Sequence, residues 1–235
     1  MRKVFGMLVA VALVVAVTAF VGLPVRATAQ GGGTIEAAVT FAGKPVVETI
    51  KVNKDVEVCG NEKQIEKVAV GANKGLLNAV VSLADGKGTP TAKAAKKAAL
   101  DQKGCEFYPH VLGTLPGEID ILNSDGILHN IHTYSTANPS INKAQPKFKK
   151  VMTEKFDKPE IIKLTCDVHS WMLGWVAVMP NPYFGVTDAN GVTKIENVPP
   201  GKYKLDVWHE TLGKQTKEVE VKAGQTAKVA FEMKK

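Results

Sequence analysis

"CDVHSWMLGW" (Cys166–Trp175) places a thiol, an imidazole and a thioether at C-x-x-H-x-x-M spacing. The run before it, "EIIKLTC", alternates so that Ile162, Leu164 and Cys166 share one face of a strand. "WVAVM" resumes strand patterning after Gly174. The three donors therefore lie on a strand–loop–strand turn and can converge at one end of a sheet.

Thiolate and thioether are soft ligands, and with imidazole they favour copper; two His, one Cys and a weak axial Met form the blue-copper set. That set needs a second histidine, and "NSDGILHNIHTYS" offers His129 and His132. Period-two alternation puts His129 with Ile131 and Thr133, and His132 with Asn130 and Tyr134. Ile131 marks the core side, which favours His129 as the ligand and leaves His132 as a polar residue on the opposite face. Zinc is the rival metal, but thioether is a poor zinc ligand and Met172 would have no role. No C-x-x-C-H sequence is present for haem attachment, and the loop lacks the second cysteine of a binuclear copper site. His110 and His209 have no partners at ligand spacing and are read as structural or surface residues.

"LHN" followed well downstream by "CDVHSWM" resembles the cupredoxin family of plastocyanin-like electron carriers, and the short ligand loop is similar to that of amicyanin. The likeness runs from about Ile65 to Pro180. It implies His129, Cys166, His169 and Met172 as copper ligands, with Asn130 tethering the ligand loop from outside the metal. It also implies a one-electron carrier, not an enzyme, that meets a redox partner protein such as a cytochrome or an oxidoreductase. His169, flanked by Trp171, Met172 and Leu173, is expected near the surface as the docking point. Two features depart from the family: the segment is larger than usual, and Trp171 and Trp175 bracket the axial position, where they are read as packing.

Residues 1–29 read as an export signal. Arg2 and Lys3 precede an apolar run from Val4 to about Val25, and Ala27 and Ala29 form an A-x-A cleavage site ahead of Gln30. The expected location is periplasmic or secreted, with no stable membrane span after cleavage. Without Arg2, Lys3 and Arg26 the Lys+Arg count falls from 30 to 27 against 23 Asp+Glu, a net charge of +4. That excess is too mild and too dispersed for a nucleic-acid partner. Lysines gather in "NKAQPKFKK" (Asn142–Lys150), which reads as a solvated loop that could also steer an acidic partner. In an oxidising compartment three cysteines leave one unpaired. Cys59 in "EVCGN" and Cys105 in "KGCEFYP" pair most simply with each other, leaving Cys166 for the metal.

Elsewhere "TIEAAVTFAG", "LLNAVVSLAD", "GEIDILNSD", "YKLDVWHE" and "TAKVAFEM" read as strands bounded by turn residues. "TPTAKAAKKAALDQKG" (Thr89–Gly104) reads as a short surface helix. Pro180 and Pro182 mark a boundary, after which "DANG" and "VPPG" form turns around strand patterning. This tail resembles carboxypeptidase regulatory-like and transthyretin-like β-sandwich modules. The expected fold is all-β: a cupredoxin-like Greek-key sandwich over 30–180 and a smaller carboxypeptidase regulatory-like sandwich over 181–235. Residues 31–46 look like the opening strand of that second module and are left open between the two.

Two other functions compete with the electron carrier. A copper oxidoreductase component needs a further copper, and the spacing of His110, His132 and His209 does not group them. A copper-binding cell-envelope interaction protein would use the tail to hold its partner.

Overall fold

The computed structural model describes Met1, residues 31–84 and residues 97–235. The proposed signal segment lies outside the described residues, Met1 excepted. In chain order come β1 (Gly33–Phe41), β2 (Val46–Lys51), the short helix α1 (Val56–Cys59), β3 (Glu62–Val68), β4 (Val80–Leu83) and β5 (Ala98–Gln102). Next are β6 (Phe107–Tyr108), β7 (Val111–Thr114), β8 (Gly117–Asn123), β9 (His129–Tyr134), β10 (Asn142–Gln145) and β11 (Val151–Phe156). After them run β12 (Glu160–Thr165), β13 (Leu173–Val178), β14 (Phe184–Val186) and β15 (Val192–Val198). β16 (Gly201–His209), β17 (Gly213–Val221) and β18 (Thr226–Met233) complete the set. Among the described residues no helix is long and apolar enough to cross a membrane.

The fold is all-β and its strands stack as sandwiches. In the first, the sheet β10-β9-β12-β13-β7 and the sheet β11-β8-β5-β6 enclose a core that includes Leu100, Ile119, Ile131, Phe156, Ile162 and Leu164. The alternation that predicts these strands also builds this core. In β12, Ile162 and Leu164 are buried while Lys163 between them is exposed. The ribbon β2-β3 adds Ile50 and Ile65 to the edge of the same core.

The second sandwich packs β15-β1-β18 against β14-β4-β16-β17 around Ile35, Val39, Leu83, Leu205, Val207 and Phe231. Its "DANG" turn closes as the sequence suggests, with Asp188 Oδ1 accepting the backbone N–H groups of Asn190 and Val192. Gly191 there has φ +71°, and a Cβ would lie 2.3 Å from the Val39 carbonyl oxygen, so only glycine fits.

The strand pairing runs across residue 180. Gly33–Phe41, left open by the sequence, lies between β15 and β18, antiparallel to the first and parallel to the second. Val80–Leu83, assigned above to the copper module, instead pairs with β14 and β16. Its residues are buried on both sides, Val81 and Leu83 in the second core and Val80 against Val111 and Ala177 of the first sandwich. A run buried on both faces lacks the alternation that would mark which core it serves.

The helix expected over Thr89–Gly104 is also corrected where it can be seen. Ala98–Gln102 is β5, parallel to β8, with Leu100 and Gln102 buried. Residues 85–96 lie outside the described residues. Ala and Lys are good helix formers, but propensity differences amount to at most about 0.7 kcal/mol per ordinary residue, and burying Leu100 in a ladder outweighs them.

The two sandwiches meet along a small apolar contact of Val80, Val111, Ala177 and Met179, with Trp175 and Trp208 packed beside it. The two indoles are T-shaped, with ring centroids 5.2 Å apart. Glu210 from the second sandwich accepts hydrogen bonds from Trp175 Nε1 and binds His110 Nε2, both from the first.

Candidate metal centre

Cys166–Met172 connects Thr165 to Leu173, which face each other across β12 and β13. The loop is therefore the end of a tight hairpin, closed by the Met172 N–H donating to the His169 carbonyl at 3.0 Å. Gly174 follows in β13, where a Cβ would come within 2.9 Å of Phe107 Cβ. Its missing side chain lets β6 approach the ligand loop. On the neighbouring strand, His129 opens β9, and its side chain faces inward with Ile131 and Thr133.

The result is a convergence of His129, Cys166 and His169, all buried, with one donor atom from each lying within 4.8 Å of the others. His129 Nδ1 is 3.1 Å from His169 Nδ1, and Cys166 Sγ is 3.8 Å from His169 Nδ1. Met172 is buried in the same core cluster as Cys166 and Trp171. His132 points the other way, its Nδ1 against Asp167 Oδ1 at 2.9 Å and its ring stacked on Tyr134. Asn130 Oδ1 accepts the Asp167 backbone N–H, and Asn130 Nδ2 donates to Asn142 Oδ1, so its amide ties β9 and β10 to the ligand loop.

The outer nitrogen of each imidazole is also engaged. His129 Nε2 meets Asp125 Oδ2 at 2.9 Å, and His169 Nε2 meets Asp55 Oδ2 at 2.9 Å. An ionised carboxylate only accepts, so each ring carries its proton on Nε2 and turns a lone pair on Nδ1 inward. Two lone pairs facing each other have only the Cys166 thiol proton to share, which can serve one of them at a time, whereas a cation satisfies all three donors. Burial holds the His129 imidazole below its usual range, which disfavours a second ring proton as the alternative. Burial also pushes the Cys166 thiol up, against backbone N–H groups of His169, Val168 and Asn130 that favour the thiolate. A bound cation would supply what the thiolate lacks. The donor set thus fits a metal that takes two imidazoles and a thiolate.

Two of these residues escaped sequence reasoning. Asp125 sits four positions before His129, and its carboxylate is held by the Gly104 and Cys105 backbone N–H groups. The "NSDG" turn is a sign of a loop but not of a partner for His129. Asp55 is 114 positions from His169, a distance no spacing pattern spans. The same contact corrects the expectation of a surface imidazole. His169 is 0% exposed, covered on its outer edge by Asp55.

Cys59 and Cys105 form a disulfide with Cα atoms 5.3 Å apart, and Cys166 is free. Cys105 also lies within reach of Asp125 and His129, but its sulfur is committed to the disulfide and that trio is no second metal group. His110 binds Glu210 at the junction of the sandwiches, and His209 is buried with Nδ1 accepting the Thr211 N–H. Trp171 donates to the Cys105 carbonyl, and its ring centroid lies 5.1 Å from that of His169.

The family model that matches this chain is polysaccharide lyase family 4, domain II, over residues 164–229. A search of curated proteins found no match. Among solved structures, the copper-containing nitrite reductase of Thermus scotoductus SA-01 is 22% identical, with a TM-score of 0.32. That match covers 40% of this chain and 26% of the reductase, so this chain spans about a quarter of its length. The oxidised P94A mutant of amicyanin is 17% identical over 35% of this chain and 81% of its own, with a TM-score of 0.32. A purple cupredoxin from Nitrosopumilus maritimus is 19% identical over 35% of this chain and 99% of its own, with a TM-score of 0.30. Overlap this small carries no argument for function, and the case for a metal rests on the donor set.

Proposed function

We propose that this chain is an exported type 1 copper protein that carries single electrons between redox partners, with His129, Cys166, His169 and Met172 holding the metal. The observation that carries the reading is the inward convergence of two imidazole Nδ1 atoms on one thiol, with both Nε2 atoms committed to carboxylates. Copper in such a site supplies reversible one-electron cycling. The chain's own contribution is rigidity. His129 is anchored in a strand, the loop is closed by Met172 and His169, and Asn130 pins the loop from outside.

Several observations support the rest of the reading. The Cys59–Cys105 disulfide suits an oxidising compartment, in keeping with the export signal at residues 1–29. His110, His132 and His209 are separately engaged with Glu210, Asp167 and Thr211, which favours a carrier over an enzyme with a second metal. The turn after β10 exposes Phe148 among Lys147, Lys149 and Lys150. Asn123 Nδ2 donates to both the Ile127 and Gln145 carbonyls, joining that turn to the loop before His129. A cationic rim around an aromatic residue fits an acidic redox partner, a cytochrome or an oxidoreductase.

The test is cupric loading of the purified chain. One copper per chain, an intense visible thiolate-to-copper band and reversible bleaching by a one-electron reductant are expected. A folded, copper-loaded protein without the band defeats the reading.

A further inference from the structure

Around the metal ligands lies an outer ring of contacts with a single covalent closure. Asp55 has left-handed backbone angles, φ 51° and ψ 40°, immediately before α1. Its carbonyl accepts the N–H groups of Val58 and Cys59, and the Val52 N–H donates to the Asn61 carbonyl, drawing the loop shut. Cys59 at the end of α1 is bonded to Cys105. The backbone N–H groups of Gly104 and Cys105 hold Asp125, which in turn holds His129. The path therefore runs from His169 through Asp55, α1, the disulfide and Asp125 to His129.

We propose that Asp55 is a positioning residue for His169, and that the Cys59–Cys105 disulfide braces the two loops whose carboxylates orient both imidazoles. This rests on the copper reading above. A carboxylate on the outer nitrogen fixes the tautomer and the ring plane and makes the inner nitrogen a better donor. Its negative charge favours the more positive metal state and so lowers the reduction potential. Because Asp55 covers the ring edge of the buried His169, it also closes that imidazole to outside ligands and partners.

The experiment uses the whole copper-loaded chain and three variants: Asp55→Asn, Asp55→Ala and the double replacement Cys59→Ala with Cys105→Ala. Visible absorption, reduction potential and the effect of added imidazole on the band are recorded for each. Asp55→Asn keeps an acceptor and should keep the band, while shifting the cupric–cuprous equilibrium about tenfold towards cuprous, a rise of about 59 mV for one electron. Asp55→Ala should also make the band sensitive to added imidazole, because the ring edge is opened. The double variant should move the potential in the same direction, since the brace acts through both Asp55 and Asp125. A wild-type protein without the band sinks the copper reading and this proposal with it. A coloured wild type whose three variants keep its potential to within a factor of two in that equilibrium, and resist imidazole equally, sinks this proposal alone.

Discussion

His132 Nδ1 lies 2.9 Å from Asp167 Oδ1, on the face of β9 opposite His129. Three positions apart on one strand, the two histidines serve different surfaces of the same loop. His129 faces the thiol, and His132 grips the residue after it from outside. Replacing His129 by Ala should therefore abolish the visible band or leave a hole that added imidazole fills. His132→Ala should leave the band nearly unchanged. Absorption spectra of the two loaded variants decide the point, and the reverse pattern would require a new ligand list.

Met172→Leu keeps the buried volume of a residue only 1% exposed, so it should cost less than about 1.5 kcal/mol of stability. The band should survive, because the axial bond tunes the site more than it holds the metal. The potential should shift, because the weak fourth donor tunes it. Redox titration and thermal melting measure the two effects separately, and a colourless variant would make Met172 essential to holding copper.

Glu160 organises the Ser135–Asn138 turn by accepting the backbone N–H groups of Thr136, Ala137 and Asn138 and the Ser135 hydroxyl. Burial works to raise its carboxyl, but these hydrogen bonds outweigh that and hold it far below its usual range. Because the folded value is depressed, the contribution is fully present above the unfolded value near 4.5 and is lost as pH falls through the lower folded value. Glu160→Gln should cost about 1–2 kcal/mol at neutral pH, allowing for partial exposure. The gap between variant and wild type should close in acid, as urea melts at several pH values would show.

Glu210 joins the sandwiches by binding His110 and Trp175. Burial raises its carboxyl, and the His110 and Trp175 contacts more than offset this and keep it below the usual range. Glu210→Ala leaves the indole N–H of Trp175 without its partner and should cost about 1–3 kcal/mol. Calorimetry should then show the melting transition broadening or splitting as the two sandwiches uncouple. A single sharp transition at the wild-type temperature would make the contact incidental.

The strands of the first core were legible because each alternates on its own. "EIIKLTC" shows its inward face without reference to any partner, and the alternation around Ile131 likewise places His129 inside. Local pattern failed where long-range pairing decides. β4 is buried throughout and shows no alternation, and only β14 and β16 reveal which sandwich it completes. β5 reads as helix until β8 is laid beside it. At the site, the donor atoms were visible because metal chemistry restricts residue type and spacing. Asp55 and Asp125 were not, because a carboxylate that only orients an imidazole can come from any loop that reaches it.

The parallel pairing of β1 with β18 gives assembly an order in time. Among the described strands β1 is made first, and β18, which lies parallel to it, is made last. Until Thr226–Met233 has been synthesised, β1 has an unsatisfied edge and the apolar face of Ile35, Ala37 and Val39 is only partly covered. The strands that position His129 and the Cys166–Met172 loop, β9, β12 and β13, are complete well before that. Chains cut short after residue 180 should therefore be able to pair β9, β12 and β13 while still presenting β1 and β4 as sticky edges. Such fragments are expected to aggregate through those edges.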